Sequence, residues 1–325
     1  MKKNHYFVIV IIACLTYLTG VTVINLIIDP YEEYGLIKNK KFSLSEISFP
    51  YKAFKLLEKN DYILVFGTSH SSTLSKESFG EDVINLSTSV YGYPEDVYYF
   101  LKQLDTNQIH HIKKIYYLVD FFIHDVEPKY KELHFSSQLE FYFQTLKNLG
   151  TKKIIAAFEN VIKNVSGKYI QHITQNGELV FLTEKKYTAR KFISKDNFKI
   201  AYDQQKYYRF IEEFCEQKNI ECVFFKSILS RFFLENIDFA SIENHFQELS
   251  KQINGIYSLM YIKGASDSLE NFRDPTHHSF RLSQIECDIL KSSEKRNSYL
   301  VTRQNLAPYL ATLKKELDHP DNSEQ

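Results

Sequence analysis

The sequence predicts an α/β fold of three layers, a central parallel sheet between helices, preceded by one N-terminal transmembrane helix. Three observations carry that expectation. The first is Tyr6 to Ile28, which contains no formal charge. The second is a series of short apolar runs that end in turns, as strands buried on both faces do. The third is the alternation of those runs with helical patterns, which in a single sheet calls for crossover connections and parallel strands.

Taken in order, residues 1–5 carry Lys2 and Lys3 and are read as a short cytoplasmic N-terminus. As a helix, 6–28 would reach about 35 Å, enough for a hydrocarbon core of roughly 30 Å. Asp29, Glu32 and Glu33 follow it, so the positive-inside bias places the main domain on the outer side of the membrane, periplasmic or extracellular. A cleaved signal peptide is the rival; it is disfavoured because apolar sequence continues past Ile11-Ile12-Ala13-Cys14. Residues 29–58 form a polar connecting segment.

The domain is expected over 59–317. Tyr62 to Phe66 reads as a buried strand ending at Gly67, and Ser69 to Ser72 could start a helix. Val83 to Leu86 is a second strand. Pro94-Glu95-Asp96 opens a helix with proline in the first turn and acidic residues at its positive end. Ile115 to Val119 is a third strand, running into Asp120 and His124. An insertion or cap is expected at 128–202, with helices over Leu133 to Lys163 and a turn at Asn176-Gly177 before a short strand. The pattern then resumes with a helix at Tyr207 to Gln217, a strand at Glu221 to Phe225, a helix at Glu243 to Ile253 and an apolar run at Ile256 to Ile262. Ser279 to Ile289 reads as the last core helix and Leu306 to Leu317 as an amphipathic stretch, with 318–325 a polar tail.

Composition narrows the class. The 40 Lys plus Arg balance 40 Asp plus Glu, without the basic excess of a general nucleic-acid binder, so no nucleic-acid partner is expected. With 10 Gly and 7 Pro the chain is not a low-complexity one. The 23 Tyr and 26 Phe can fill a sizeable core without Trp. Cys14, Cys215, Cys222 and Cys287 are too few for a disulfide scaffold and read as reduced residues. No glycine-rich dinucleotide fingerprint occurs, and no cofactor is expected.

Two short segments could carry chemistry. Gly67-Thr68-Ser69-His70-Ser71 follows a buried strand, where a serine hydroxyl can be exposed while backbone N–H groups face an anion. It is not the G-x-S-x-G elbow, and an ordinary turn with a capping serine would look the same. The second segment is Asp274-Pro275-Thr276-His277-His278. An Asp three residues before a His can hold the Nδ1 proton and leave Nε2 to deprotonate a serine, which makes Ser69, His277 and Asp274 the candidate catalytic set. Asp274, His277, His278 and His110 or His111 are also metal-ligand types, but no regular ligand spacing supports a metal site.

The serine turn and the Asp-x-x-His segment resemble the first and last blocks of the SGNH (GDSL-like) hydrolase superfamily. The anchor followed by Asn25-Leu-Ile-Ile-Asp29-Pro30-Tyr31, the Asn85-Leu86-Ser87 run with Gly92, and the strand ending Leu118-Val119-Asp120-Phe121-Phe122 resemble its membrane-anchored branch, which includes the teichoic-acid D-alanylation protein and alginate O-acetyltransferases. The resemblance implies an SGNH-like domain with Ser69 as nucleophile, His277 as base, Asp274 as its orienting acid and Gly92 at the oxyanion hole, with Ser87 or Ser89 as alternatives to Gly92. His70, Asp120 and His124 are further oxyanion or substrate-binding candidates.

It also implies serine-dependent acyl transfer or ester hydrolysis, by preference O-acylation of an envelope polysaccharide or related glycopolymer. The partners would then be an acylated donor, a glycopolymer acceptor, a multi-pass membrane acyltransferase, and membrane lipid through 6–28. One departure stands out: the family's third block supplies an asparagine, and here Asp120 takes that place. A carboxylate cannot donate, and losing one oxyanion donor costs about 2.7–4 kcal/mol. The alternative is therefore a catalytically weak or inactive, membrane-anchored assembly or polysaccharide-binding protein on the same scaffold.

Overall fold

A computed structural model describes residues 8–17, 19–20, 23, 53, 56–87, 92–121, 171–173, 179–181, 202–274, 276–277 and 279–318. The central feature is a six-stranded sheet in the order β2-β1-β3-β6-β7-β8. Its strands are β1 (Tyr62–Phe66), β2 (Val83–Asn85), β3 (Ile112–Leu118), β6 (Glu221–Lys226), β7 (Ile256–Ser258) and β8 (Leu300–Val301). All neighbours are parallel except β7 and β8. The antiparallel edge strand was not expected; at two residues it is too short to show any periodicity.

Side chains alternate across the strands and feed two separate cores. Leu64, Phe66, Ile115, Tyr117 and Phe224 face one side, under helices α2 (Pro94–Gln103), α4 (Tyr202–Lys218), α6 (Phe239–Leu249) and α9 (Leu306–Asp318). Ile63, Val65, Tyr116, Leu118, Val223 and Phe225 face the other, under α1 (Lys76–Phe79) and α7 (Phe280–Lys291). Both faces are covered, so the central strands read as unbroken apolar runs rather than alternating ones. The remaining short helices are α3 (Thr106–His110), α5 (Arg231–Glu235) and α8 (Ser293–Asn297). All four cysteines are free.

The expected membrane anchor is corrected. No helix among the described residues is long and apolar enough to cross a membrane. Within 6–28 the continuous described helix is 8–17, about 15 Å or half a hydrocarbon core. The transmembrane part of the expected fold, lipid as a partner through 6–28 and the single-pass outer location are withdrawn with it. The glycopolymer acceptor and the multi-pass acyltransferase partner, which followed from an anchored relative, lose that support too. Of 128–202, the described parts are the antiparallel pair β4 (Gln171–Ile173) and β5 (Leu179–Phe181) and the first residue of α4. The helices expected over Leu133 to Lys163 and the Asn176-Gly177 turn lie outside the described residues.

Strand order locates a crevice. From β1 the chain moves to β2 on one side, whereas β3 continues to β6 on the other. The carboxyl ends of β1 and β3 therefore flank a topological switch point, where open α/β sheets place ligands. Gly67 leaves β1 there at φ +138°, and a methyl group on it would lie 2.6 Å from Leu118 Cβ and 2.8 Å from Ser71 Oγ. Asn85, at the end of β2 and fully buried, braces the same turn from below. Its Nδ2 donates to the carbonyls of Ser71 and Leu74 at 2.8 Å each, and its Oδ1 accepts from the Ser87 N–H at 3.0 Å and from its hydroxyl at 2.5 Å.

Two stability predictions follow from this packing. Gly67→Ala should lower unfolding free energy by at least about 2 kcal/mol, because overpacking and a backbone unsuited to alanine act together. Asn85→Ala removes the amide's bonds to the Ser71 and Leu74 carbonyls and to the Ser87 N–H and hydroxyl, all buried, and should cost about 1–3 kcal/mol. Urea denaturation of each variant against wild type measures both; a Gly67→Ala midpoint equal to wild type would contradict the close approach of β1 and β3.

Candidate active site

Ser69 sits in a single 3-10 turn, Ser69–Ser71, capped by Thr68. The turn is tied inward by its own neighbours. Ser71 N–H donates to the Thr68 carbonyl at 3.1 Å, and the Ser72 N–H and hydroxyl donate to the Ser69 carbonyl at 3.2 and 2.5 Å. His70, Ser71 and Ser72 are buried while Ser69 is exposed. Only the serine in question therefore presents its side chain outward from the turn.

The second segment comes from the loop before α7. Arg273 N–H donates to the His277 carbonyl at 2.8 Å, and Ser279 N–H to the Asn271 carbonyl at 2.7 Å, closing the loop on itself. Inside it, Asp274 Oδ1 accepts from the N–H groups of Thr276 and His277 at 2.9 Å each and from the Thr276 hydroxyl at 3.0 Å. This is the local side-chain-to-backbone bonding that Asp favours in turns. It leaves Oδ2 to meet His277 Nδ1 at 2.8 Å. Burial would raise the Asp274 carboxyl, but the bond from His277, its charge and the backbone donors outweigh that and hold it well below the usual carboxylate range.

The two segments, 208 residues apart, meet at the carboxyl edge of the sheet. Ser69 Oγ lies 2.8 Å from His277 Nε2. An ionised carboxylate only accepts, so Nδ1 carries the proton toward Asp274, and the neutral ring offers a lone pair at Nε2 to the Ser69 hydroxyl. Ser279 caps α7, and Thr73 Oγ1 bonds Ser283 Oγ at 2.6 Å, fastening the helix that follows one segment to the chain that follows the other.

The other candidates are placed as follows. Gly92 borders the serine turn: a methyl group there would lie 3.5 Å from the Gly67 carbonyl oxygen and from the Thr68 methyl, and Tyr117 OH donates to the Gly92 carbonyl at 3.3 Å. Ser87 is buried and committed to Asn85. Asp120, at the end of β3, accepts from the Thr68 hydroxyl, from His70 Nδ1 and, at 2.6 Å, from the Phe121 N–H. The pairing of His70 with Asp120 was not anticipated, because nothing in their local sequence links residues 50 apart. His111 bonds Asp61 at 2.8 Å beside the amino end of β3, the opposite edge from Ser69, and its neighbour His110 lies at the same end. Among the described residues no group of three or more His, Cys, Asp or Glu side chains could hold a metal ion. Ser89, His124 and His278 lie outside the described residues.

Beneath the site lies a layer of buried polar groups that the sequence did not suggest. Lys226, at the end of β6, pairs with His245 of α6 and packs its ammonium 3.8 Å from the Phe121 ring centroid. Burial pushes its amine well down. Glu286 of α7 accepts from the Ser227 hydroxyl at 2.9 Å.

No protein-family model, no curated protein and no solved structure matches this chain, so the resemblance of its short motifs to the SGNH superfamily and its anchored branch is corrected.

Proposed function

We propose that this protein performs serine-dependent acyl chemistry, the hydrolysis or transfer of an ester-linked or otherwise activated acyl group. The observation that carries this reading is the unbroken chain from Ser69 Oγ through the His277 ring to Asp274 Oδ2, with both links at 2.8 Å. Those distances fall within the hydrogen-bond reach a nucleophile and its base require.

In this reading Ser69 Oγ attacks the acyl carbon while its proton passes to His277 Nε2, and Asp274 stabilises the resulting imidazolium. Backbone N–H groups of Ser69 and Gly92 serve the tetrahedral oxyanion. His277 then protonates the leaving alcohol, the C–O bond to it breaks, and an acyl-enzyme remains. Water or an acceptor hydroxyl, deprotonated by His277, attacks that ester and releases Ser69. A glycan acceptor rested on the family resemblance, and this chemistry does not require one.

Asp120 accepts three hydrogen bonds and donates none, so it does not supply an oxyanion donor. Lack of one such donor costs about 2.7–4 kcal/mol, so turnover is expected to be slow. The same observation supports a second reading, a binding or assembly protein whose serine does not turn over.

A fluorophosphonate probe separates the two readings. Wild type should be labelled at Ser69, seen by intact-protein mass spectrometry, and Ser69→Ala should not. On a chromogenic acetyl ester, His277→Ala should lose at least roughly 10³-fold in kcat/KM, and Asp274→Asn up to about 10⁴-fold by disturbing the histidine tautomer. An unlabelled wild-type protein, folded by circular dichroism, would favour the binding role; labelling that persists in Ser69→Ala would remove Ser69 from the mechanism.

A further inference from the structure

A second histidine–carboxylate pair stands directly behind the first. The His70 and His277 rings lie 4.5 Å apart between centroids, tilted by 41°. His70 Nδ1 in turn meets Asp120 Oδ2, and the Thr68 hydroxyl bonds that same oxygen. The arrangement is enclosed: His70 and Asp120 are each 6% exposed, against an exposed Ser69. Because the carboxylate only accepts, the His70 proton nearest it is fixed on Nδ1.

The titratable groups around His70 come from the elements packed against it. Asp120 faces it from the end of β3, Asp274 and His277 from the loop before α7, and Glu286 from α7 itself. Lys226, at the end of β6, acts on Asp120 through its charge. Burial alone would push His70 down; the Asp120 charge and hydrogen bond, with smaller help from Asp274 and Glu286, more than offset it and leave the imidazole raised. Burial would likewise raise Asp120, but His70, Thr68 and Lys226 hold it well below the usual carboxylate range.

We propose that His70 is a positioning residue for His277: held by Asp120, its ring fixes the plane of the base, and its charge shapes the field in which His277 takes the Ser69 proton. This rests on the reading of Ser69, His277 and Asp274 given above. A charged ring 4.5 Å from the base opposes the build-up of a second positive charge on His277 as the Ser69 proton arrives. Ser69 lies between Thr68 and His70 in sequence. The residues on either side of the nucleophile therefore both anchor to one carboxylate, which also locks the turn against β3.

The test has two arms on the full chain. In the first, the His70 ring is followed by NMR in ¹³C-histidine-labelled protein, assigned by its loss in His70→Gln. Its titration midpoint should lie above that of a free histidine and fall by more than roughly one pH unit in Asp120→Asn. In the second, the rate of fluorophosphonate labelling is measured against pH. Its acid limb should move to higher pH in His70→Gln, by roughly one unit, and in the same direction but less in Asp120→Asn. His70→Gln leaves a buried carboxylate, so the double variant with Asp120→Asn, two neutral amides, guards against a folding failure and should show the same upward move.

Profiles that superimpose on wild type in folded, labelled variants would overturn the proposal while leaving the serine mechanism standing. A His70 midpoint indifferent to Asp120→Asn would overturn it as well. Absence of any labelling in wild type removes the serine mechanism and this proposal together.

Discussion

The parallel pairing of β1 with β3 is the constraint on which the site depends. Leu64, Val65 and Phe66 align with Ile115, Tyr116 and Tyr117, so the two strands end together at one edge of the sheet. The turn after β1 then passes so close to Leu118 that a side chain at position 67 would collide with it. The turn must therefore rise sharply, lifting Ser69 into solvent while His70 is driven down toward Asp120. One residue more or less in the register would turn every inward side chain of β1 to the other core. Register and the placement of Ser69 are in this sense the same fact.

Stability and chemistry occupy different levels of the molecule. The two apolar clusters grip the faces of the sheet and hold the strands in register. Across the carboxyl edge, by contrast, lie His70, Asp120, Lys226, His245 and Glu286, all buried. Buried charges carry a desolvation cost that good pairing only partly offsets, and removing one partner is typically far more damaging than removing both. A core built for stability alone would not place so many there. The shifted groups among them, His70, Asp120 and Lys226, gather under an exposed serine, as perturbed titratable groups tend to do at functional sites.

The linkage to pH has two signs. Asp120 and Asp274 are lowered in the folded state, so what they contribute to stability is present above the unfolded carboxylate range and is lost as pH falls through their folded values. His70 is raised, so its contribution is full below the unfolded histidine value and is lost as pH rises through the folded one. The pair thus supports the fold most strongly between those limits, the window in which Asp120 is charged and His70 is protonated.

Much of this was legible in the chain itself. The run Tyr62 to Phe66, followed by Gly67, marked β1 and its turn because a strand buried on both faces must be continuously apolar. Pro94-Glu95-Asp96 marked the start of α2, because the first turn of a helix leaves backbone N–H groups unpaired, which suits proline and acidic residues there. Asp274 and His277 were legible as a pair because three residues of loop suffice to join them.

The apolar stretch at the N-terminus misled: no helix among the described residues is long and apolar enough to cross a membrane. The motif resemblance misled because a few residues at matching positions are compatible with many unrelated chains. Tertiary structure alone decided the antiparallel edge of β8, the meeting of Ser69 with His277 across 208 residues, and the pairing of His70 with Asp120. Local sequence records the preferences of neighbours a turn or a pleat apart. Contacts between distant segments depend on strand order and register, which emerge only when the whole sheet closes over its two cores.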